Sequence, residues 1–141
     1  MLTKSFRHVG IVVSDLEKAL DFYTGLGLRV GSRQVEKKPY IDDLLSGVFA
    51  RVETVKLTLQ NGTTVLELLR ILPHNKSGAK ALNDTGITHF AIEVQNVDEV
   101  YVALGPKCFL SQPQSSPDGK YRVVFGRDPE GNHIEFVSVV A

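Results

Sequence analysis

A short pattern occurs twice in this chain, and few folds accommodate it. Arg7-His8-Val9-Gly10-Ile11-Val12-Val13 opens the first copy and Thr88-His89-Phe90-Ala91-Ile92-Glu93-Val94 the second. In each, a histidine starts a strand-like run, a small residue stands two places on, and a helix-capping residue follows. Each copy is answered later by a strand with a glutamate at its middle, Val65-Leu66-Glu67-Leu68-Leu69 and His133-Ile134-Glu135-Phe136-Val137. Two copies of one module, each supplying a histidine and a glutamate, are the simplest reading.

The segments between these landmarks repeat in order as well. Residues 6–13 read as a strand buried on both faces, because the run is apolar and β-branched with little polar alternation. Ser14 and Glu17 form a capping-box pattern ahead of a helix whose stripe is Leu16, Ala19, Leu20, Phe22 and Tyr23. Gly25 and Gly27 stop it, and 28–35 reads as a strand. A loop with one helical turn at 40–45 follows, then an alternating strand over 49–60, the hairpin signal Asn61-Gly62, and a return strand over 63–71.

The second half starts after a Pro/Gly/Asn-containing linker and follows the same plan. Strand 87–94 leads to Asn96 as helix cap with Glu99 at the box position; Gly105-Pro106 ends the helix near Leu104. Strands are expected at 108–111, 121–127 and 132–139, the last two joined by Asp128-Pro129-Glu130-Gly131. The expected domain is therefore a single α+β unit over 1–141. It contains module 1 at about 5–71, a linker at about 72–85 and module 2 at about 86–141, each βαβββ.

Composition narrows the partners. The chain has 141 residues, enough to bury a core, and 16 basic against 16 acidic residues. The basic residues are scattered, which speaks against nucleic acid and favours a small-molecule substrate. The single Cys108 forms no internal disulfide and reads as a core residue. Neither a signal-peptide core nor a membrane-length apolar run is evident, so the expected setting is cytoplasmic with no membrane partner.

A glutamate between apolar neighbours in a strand is costly to bury unless it is paired or bound to a cation. His8, Glu67, His89 and Glu135 together form a two-nitrogen, two-oxygen donor set. Such a set suits one six-coordinate divalent ion, nickel, cobalt, manganese, iron or zinc, with two positions left for water or substrate. An open shell of this kind chelates two neighbouring oxygens and stabilises an enolate. A ligand glutamate that loosens its bond can then move a proton beside the carbonyl.

At these residues the chain resembles the vicinal oxygen chelate superfamily, which contains glyoxalase I, methylmalonyl-CoA epimerase, extradiol dioxygenases and the fosfomycin- and bleomycin-resistance proteins. The likeness lies in the segment from His8 to Ala19 with Phe22-Tyr23, in His89-Phe90-Ala91-Ile92-Glu93-Val94, and in the segment from Asp128 to Phe136. It implies paired βαβββ modules whose mixed sheets curl into a cup, commonly in a homodimer. A His/Glu/His/Glu quartet is similar to glyoxalase I, where the last glutamate is the base, here Glu135, with Glu67 the other catalytic carboxylate. The opening motif is closer to the epimerase, whose second acid has no firm counterpart beyond Glu53.

Val12 stands where glyoxalase I has the arginine that holds the glutathione carboxylate. The implied activity is thus a metal-dependent lyase or isomerase, lactoylglutathione lyase-like or epimerase-like. The alternatives are a dioxygenase or conjugating enzyme of the same superfamily and a metal-free, ligand-sequestering protein. Arg122, Glu93 and His133 are further candidates for substrate contact, with an outward salt bridge the competing role for Arg122.

Overall fold

The computed structural model describes residues 1–75, 78 and 80–141. It divides into two compact units, Met1–Ser77 and Gly78–Ala141. Residues 76, 77 and 79 of the expected linker lie outside the described residues.

The first unit runs β1 (Val9–Val12), α1 (Leu16–Gly25), β2 (Arg29–Val35), α2 (Tyr40–Leu45), β3 (Arg51–Thr58) and β4 (Thr64–Leu72). Its sheet order is β1-β4-β3-β2, with β1 parallel to β4 and the other pairs antiparallel. The second unit runs β5 (His89–Glu93), α3 (Val97–Leu104), β6 (Gln114–Ser115), β7 (Tyr121–Arg127) and β8 (His133–Val139). Its order, β5-β8-β7-β6, repeats the first, again with only the β5–β8 pair parallel. Both units are α+β with four-stranded mixed sheets.

Local chemistry explains the helices. Asp15, not Ser14, caps α1: its side chain accepts from the Lys18 N–H at 3.0 Å. Glu17 is thereby released from a capping role and meets Arg33 of β2 at 2.6 Å. At the other end, the Gly27 N–H donates to the Thr24 carbonyl and the Leu28 N–H to the Tyr23 carbonyl, with Gly27 at φ 102°. That is a Schellman closure, and Tyr23 and Leu28, the positions it brings together, are both buried. In the second unit Asn96 accepts from the Asp98 and Glu99 N–H groups, as its position before the helix predicts.

In each sheet one face is packed and the other carries the polar candidates. Ile11, Val55, Leu57, Leu66 and Leu68 are buried with Leu16, Ala19, Leu20 and Tyr23 of α1. Val124, Ile134 and Phe136 play that part in the second unit, with Val97 of α3 and Phe109. β1 is accordingly buried on one side only: Ile11 is inside, whereas Val12 is 53% exposed. The expectation of two buried faces fails because the run is apolar for two reasons, packing on one side and an uncharged surface on the other.

Strand 108–111 is also absent. Pro106–Cys108 forms a 3-10 turn, and Phe109 alone bridges to Gly126. The Phe109 ring lies 3.0 Å from where a Gly126 side chain would begin and also meets Tyr101 and Phe136, and the Leu110 N–H donates to the Phe125 carbonyl, so ring packing and a short stretch of backbone bonding replace a ladder. Cys108 is half-buried, its thiol donating to the Leu104 carbonyl.

Candidate functional site

The parallel β1–β4 pair sets Gly10 beside Glu67, and β3 sets Lys56 on the other side of Glu67. One row across the sheet therefore reads Gly10, Glu67, Lys56, on the face opposite Leu66 and Leu68. His8 precedes β1 and shares that face by strand alternation. Its Nε2 lies 3.6 Å from Glu67 Oε2, with the two side chains 25% and 18% exposed.

The second unit repeats the arrangement. Ala91, Glu135 and Phe125 form the corresponding row. His89 Nε2 lies 3.5 Å from Glu135 Oε2. Each unit thus brings together its own predicted histidine and its own predicted glutamate, although 59 (67 − 8) and 46 (135 − 89) positions separate them in the chain.

These separations are longer than a made N–H···O hydrogen bond, which clusters near 2.9–3.0 Å. They are close to what a shared cation imposes. With metal–ligand bonds of ~2.1 Å, two neighbouring donor atoms sit about 3.0 Å apart at right angles and about 3.4 Å apart in a tetrahedron. The donor chemistry, one imidazole nitrogen and one carboxylate oxygen per pair, fits a divalent ion. Among the described residues, no group of three or more histidine, cysteine, aspartate or glutamate side chains is clustered to hold a metal; the donors come in twos.

The two histidines are supported differently. His89 Nδ1 is 3.1 Å from the Thr88 hydroxyl, and its ring meets Phe125 edge-on at a centroid distance of 5.0 Å. His8 Nδ1 is buried with no hydrogen-bond partner among the described residues. A histidine that binds a cation through Nε2 carries its proton on Nδ1, so Thr88 is placed to accept it.

Of the remaining candidates, His133 and Glu93 share the Glu135 face. His133 is buried beside His89 in register, and among the described residues its Nδ1 has no hydrogen-bond partner. Glu93 is exposed, two places beyond the Ala91–Glu135 row. Arg122 is elsewhere: it pairs with Ser138 in register, on the face opposite Glu135, and holds Asp98 of α3 through two hydrogen bonds. Of the two roles expected for Arg122, the salt bridge is the one present, and 122 and 125 differ in parity along β7. Glu53 lies on the helix-bearing face of its own sheet, bonded to Arg33 at 2.8 Å.

Three residues escaped the sequence reading: Lys56, Thr88 and Phe125. Lys56 was within reach of it, since the hairpin at Asn61-Gly62 nearly dictates that it faces Glu67. Near Lys56, the Glu36 carboxyl is held below the usual range by hydrogen bonds from Gln34 and Thr54, with a smaller contribution from the Lys56 charge.

Two units of this strand order, each with a histidine–glutamate pair on the sheet face away from its helix, define the paired-βαβββ class. The chain belongs to the Glyoxalase/Bleomycin resistance protein/Dioxygenase superfamily, whose family model matches residues 5–136. Among solved structures, a glyoxalase family protein from Bacillus cereus aligns with a TM-score of 0.88 at 21% identity, covering 100% of this chain and 99% of that one. The trypanothione-dependent glyoxalase I of Leishmania major aligns at 0.65 and 23% identity, covering 96% and 87%. A glyoxalase I variant from Zea mays aligns at 0.66 and 21%, covering 93% of this chain and 44% of that one. At these identities the likeness is one of fold. No curated protein sequence matches the chain. No helix among the described residues is long and apolar enough to cross a membrane.

Proposed function

We propose that the chain is a divalent-metal-dependent lyase or isomerase that moves a proton on a carbon beside a chelated carbonyl. The observation that carries this reading is the pair of histidine–glutamate contacts at 3.6 and 3.5 Å, one on each sheet. In this reading His8 with Glu67, and His89 with Glu135, are the protein's ligands to the metal. When bound, such an ion polarises the substrate carbonyl and offsets negative charge developing on its oxygen.

The chain's own groups do the rest. Glu135 takes the proton from the carbon next to the carbonyl; it returns it to the neighbouring carbon, or a second acid delivers one to the opposite face of the same carbon. The first outcome is the lyase or isomerase reaction and the second an epimerisation. Phe125, in register beside Glu135, shields that carboxylate from water on one side. Ala91 on the other side is small enough to admit a substrate.

Metal analysis of protein purified without chelator tests the reading, beside the H8A, E67A, H89A and E135A variants. One ion per chain is expected in the wild type, with affinity reduced more than about 100-fold in each variant. Solvent deuterium should enter hydroxyacetone beside its carbonyl with the loaded wild type and not with E135A. A wild type free of metal whose ligand binding survives all four substitutions would instead mark a sequestering protein.

A further inference from the structure

Lys56 stands directly opposite Glu67 across the antiparallel β3–β4 pair, on the same face. Side chains in that relation have Cβ atoms about 4.5–5.5 Å apart, and a Lys–Glu pair there ordinarily closes into a cross-strand ion pair. Here the Glu67 carboxylate turns to His8 instead. Lys56 perturbs the Glu36 carboxyl through its charge, but Gln34 and Thr54 make the hydrogen bonds to Glu36 Oε1. Among the described residues Lys56 forms no salt bridge.

The equivalent row of the second unit has no such group. Ala91, Glu135 and Phe125 present a methyl, a carboxylate and a phenyl ring, where Gly10, Glu67 and Lys56 present bare backbone, a carboxylate and an ammonium. Two copies of one module have thus diverged at the position next to the glutamate. A half-buried lysine stem here carries an ammonium that feels the Glu36 charge but forms no salt bridge among the described residues, so it is available to an anion arriving over the Glu67 row.

We propose that Lys56 is the specificity-determining residue of the site, and that the substrate is a small oxygen chelate carrying a separate anionic group, a carboxylate or a phosphate. Resting on the metal-site reading above, this assigns the chelating oxygens to the cation held at His8 and Glu67 and the anionic group to the Lys56 ammonium. Gly10, on the far side of Glu67, leaves the approach open: a side chain there would start 3.5 Å from Leu69 and project over the same row.

Three matched probes separate the contributions. Hydroxyacetone, hydroxypyruvate and dihydroxyacetone phosphate share a hydroxyketone and differ in bearing a methyl, a carboxylate or a phosphate ester. Calorimetric affinities are measured for wild type, K56M and K56R, each nickel-loaded and metal-free, with the Lys56 ε-methylene NMR signal as a second readout. The wild type should bind one of the two anionic probes about 10-fold or more tightly than hydroxyacetone. K56M should cut that preference to about 2-fold while leaving hydroxyacetone affinity unchanged, and K56R should retain most of it. The arm with the larger loss identifies the anion as carboxylate or phosphate.

An unchanged preference in K56M, no preference in the wild type, or no binding of any probe would each overturn the assignment. A Lys56-dependent preference in protein that takes up no nickel would uphold Lys56 and overturn the metal reading. Nickel held by the wild type with no Lys56-dependent preference would do the reverse.

Discussion

Asp98 and Arg122 are joined by two hydrogen bonds, 3.0 Å from Nε and 2.9 Å from Nη2, which tie the first turn of α3 to β7. The fork-on-carboxylate geometry also places a negative charge at the positive end of the helix. Hydrogen bonding to Arg122 holds the Asp98 carboxyl below its usual range. The folded state therefore releases this proton more readily than the unfolded chain does. The resulting stability is present above the ordinary aspartate pKa of about 3.9 and is lost as pH falls through the lower folded value. D98N should flatten the acid limb of a melting-temperature profile below about pH 4, and R122M should do the same. Neither should alter probe affinity near neutrality; a large loss of binding in R122M would return Arg122 to the site.

Gly10 offers a test that leaves the fold intact. A methyl group there would sit 3.5 Å from Leu69, an ordinary contact, and the backbone is not left-handed. G10A should fold with nearly unchanged stability. G10L should keep its cooperative unfolding yet bind metal and probe more weakly, because the larger side chain covers Glu67. Equal affinities in the two variants would show that the approach to Glu67 is not used.

Thr88 holds His89 from behind through the 3.1 Å contact at Nδ1. Removing the hydroxyl in T88V should free the ring and lower nickel or cobalt affinity by about 10-fold, the lower end for a group that orients a ligand. T88S should restore it. Titration against a competing chelator measures the effect, and identical affinity in T88V would remove Thr88 from the site.

Gly126 is a packing test with no bearing on metal. A side chain there would begin 3.0 Å from the Phe109 ring and 3.1 Å from Phe136. Both rings are buried, so neither can swing away without opening the core under β7. G126A should cost about 1–3 kcal/mol in urea unfolding. A cost near zero would mean that Phe109 repacks freely and that its lone bridge to Gly126 is not what anchors the segment after α3.

Much of the fold was legible because its signals are local. Asn96 before an apolar run, Gly27 after one, and the Asn61-Gly62 turn each act within a few residues, and α3, the end of α1 and the β3–β4 hairpin sit where those residues point. At the start of α1 two neighbouring residues competed for one role. Ser14 and Asp15 both suit a cap, and the carboxylate prevails at Asp15. Tyr121, Arg122 and Val123 alternate clearly, but alternation does not say which parity faces the core; Arg122 took the side toward α3 because Asp98 is there.

By itself, the sequence determined that there are two modules of one order and that each contains a histidine and a mid-strand glutamate. Periodicity and capping suffice for that, since both are written in neighbouring residues. Only the tertiary structure decided which groups meet. The parallel β1–β4 and β5–β8 pairings bring His8 to Glu67 and His89 to Glu135 across long loops. The β3–β4 and β7–β8 registers then set Lys56 beside one glutamate and Phe125 beside the other. Parallel pairing is chosen by the whole buried face of a sheet, the sum of many small apolar contacts, and no single stretch of chain carries that sum.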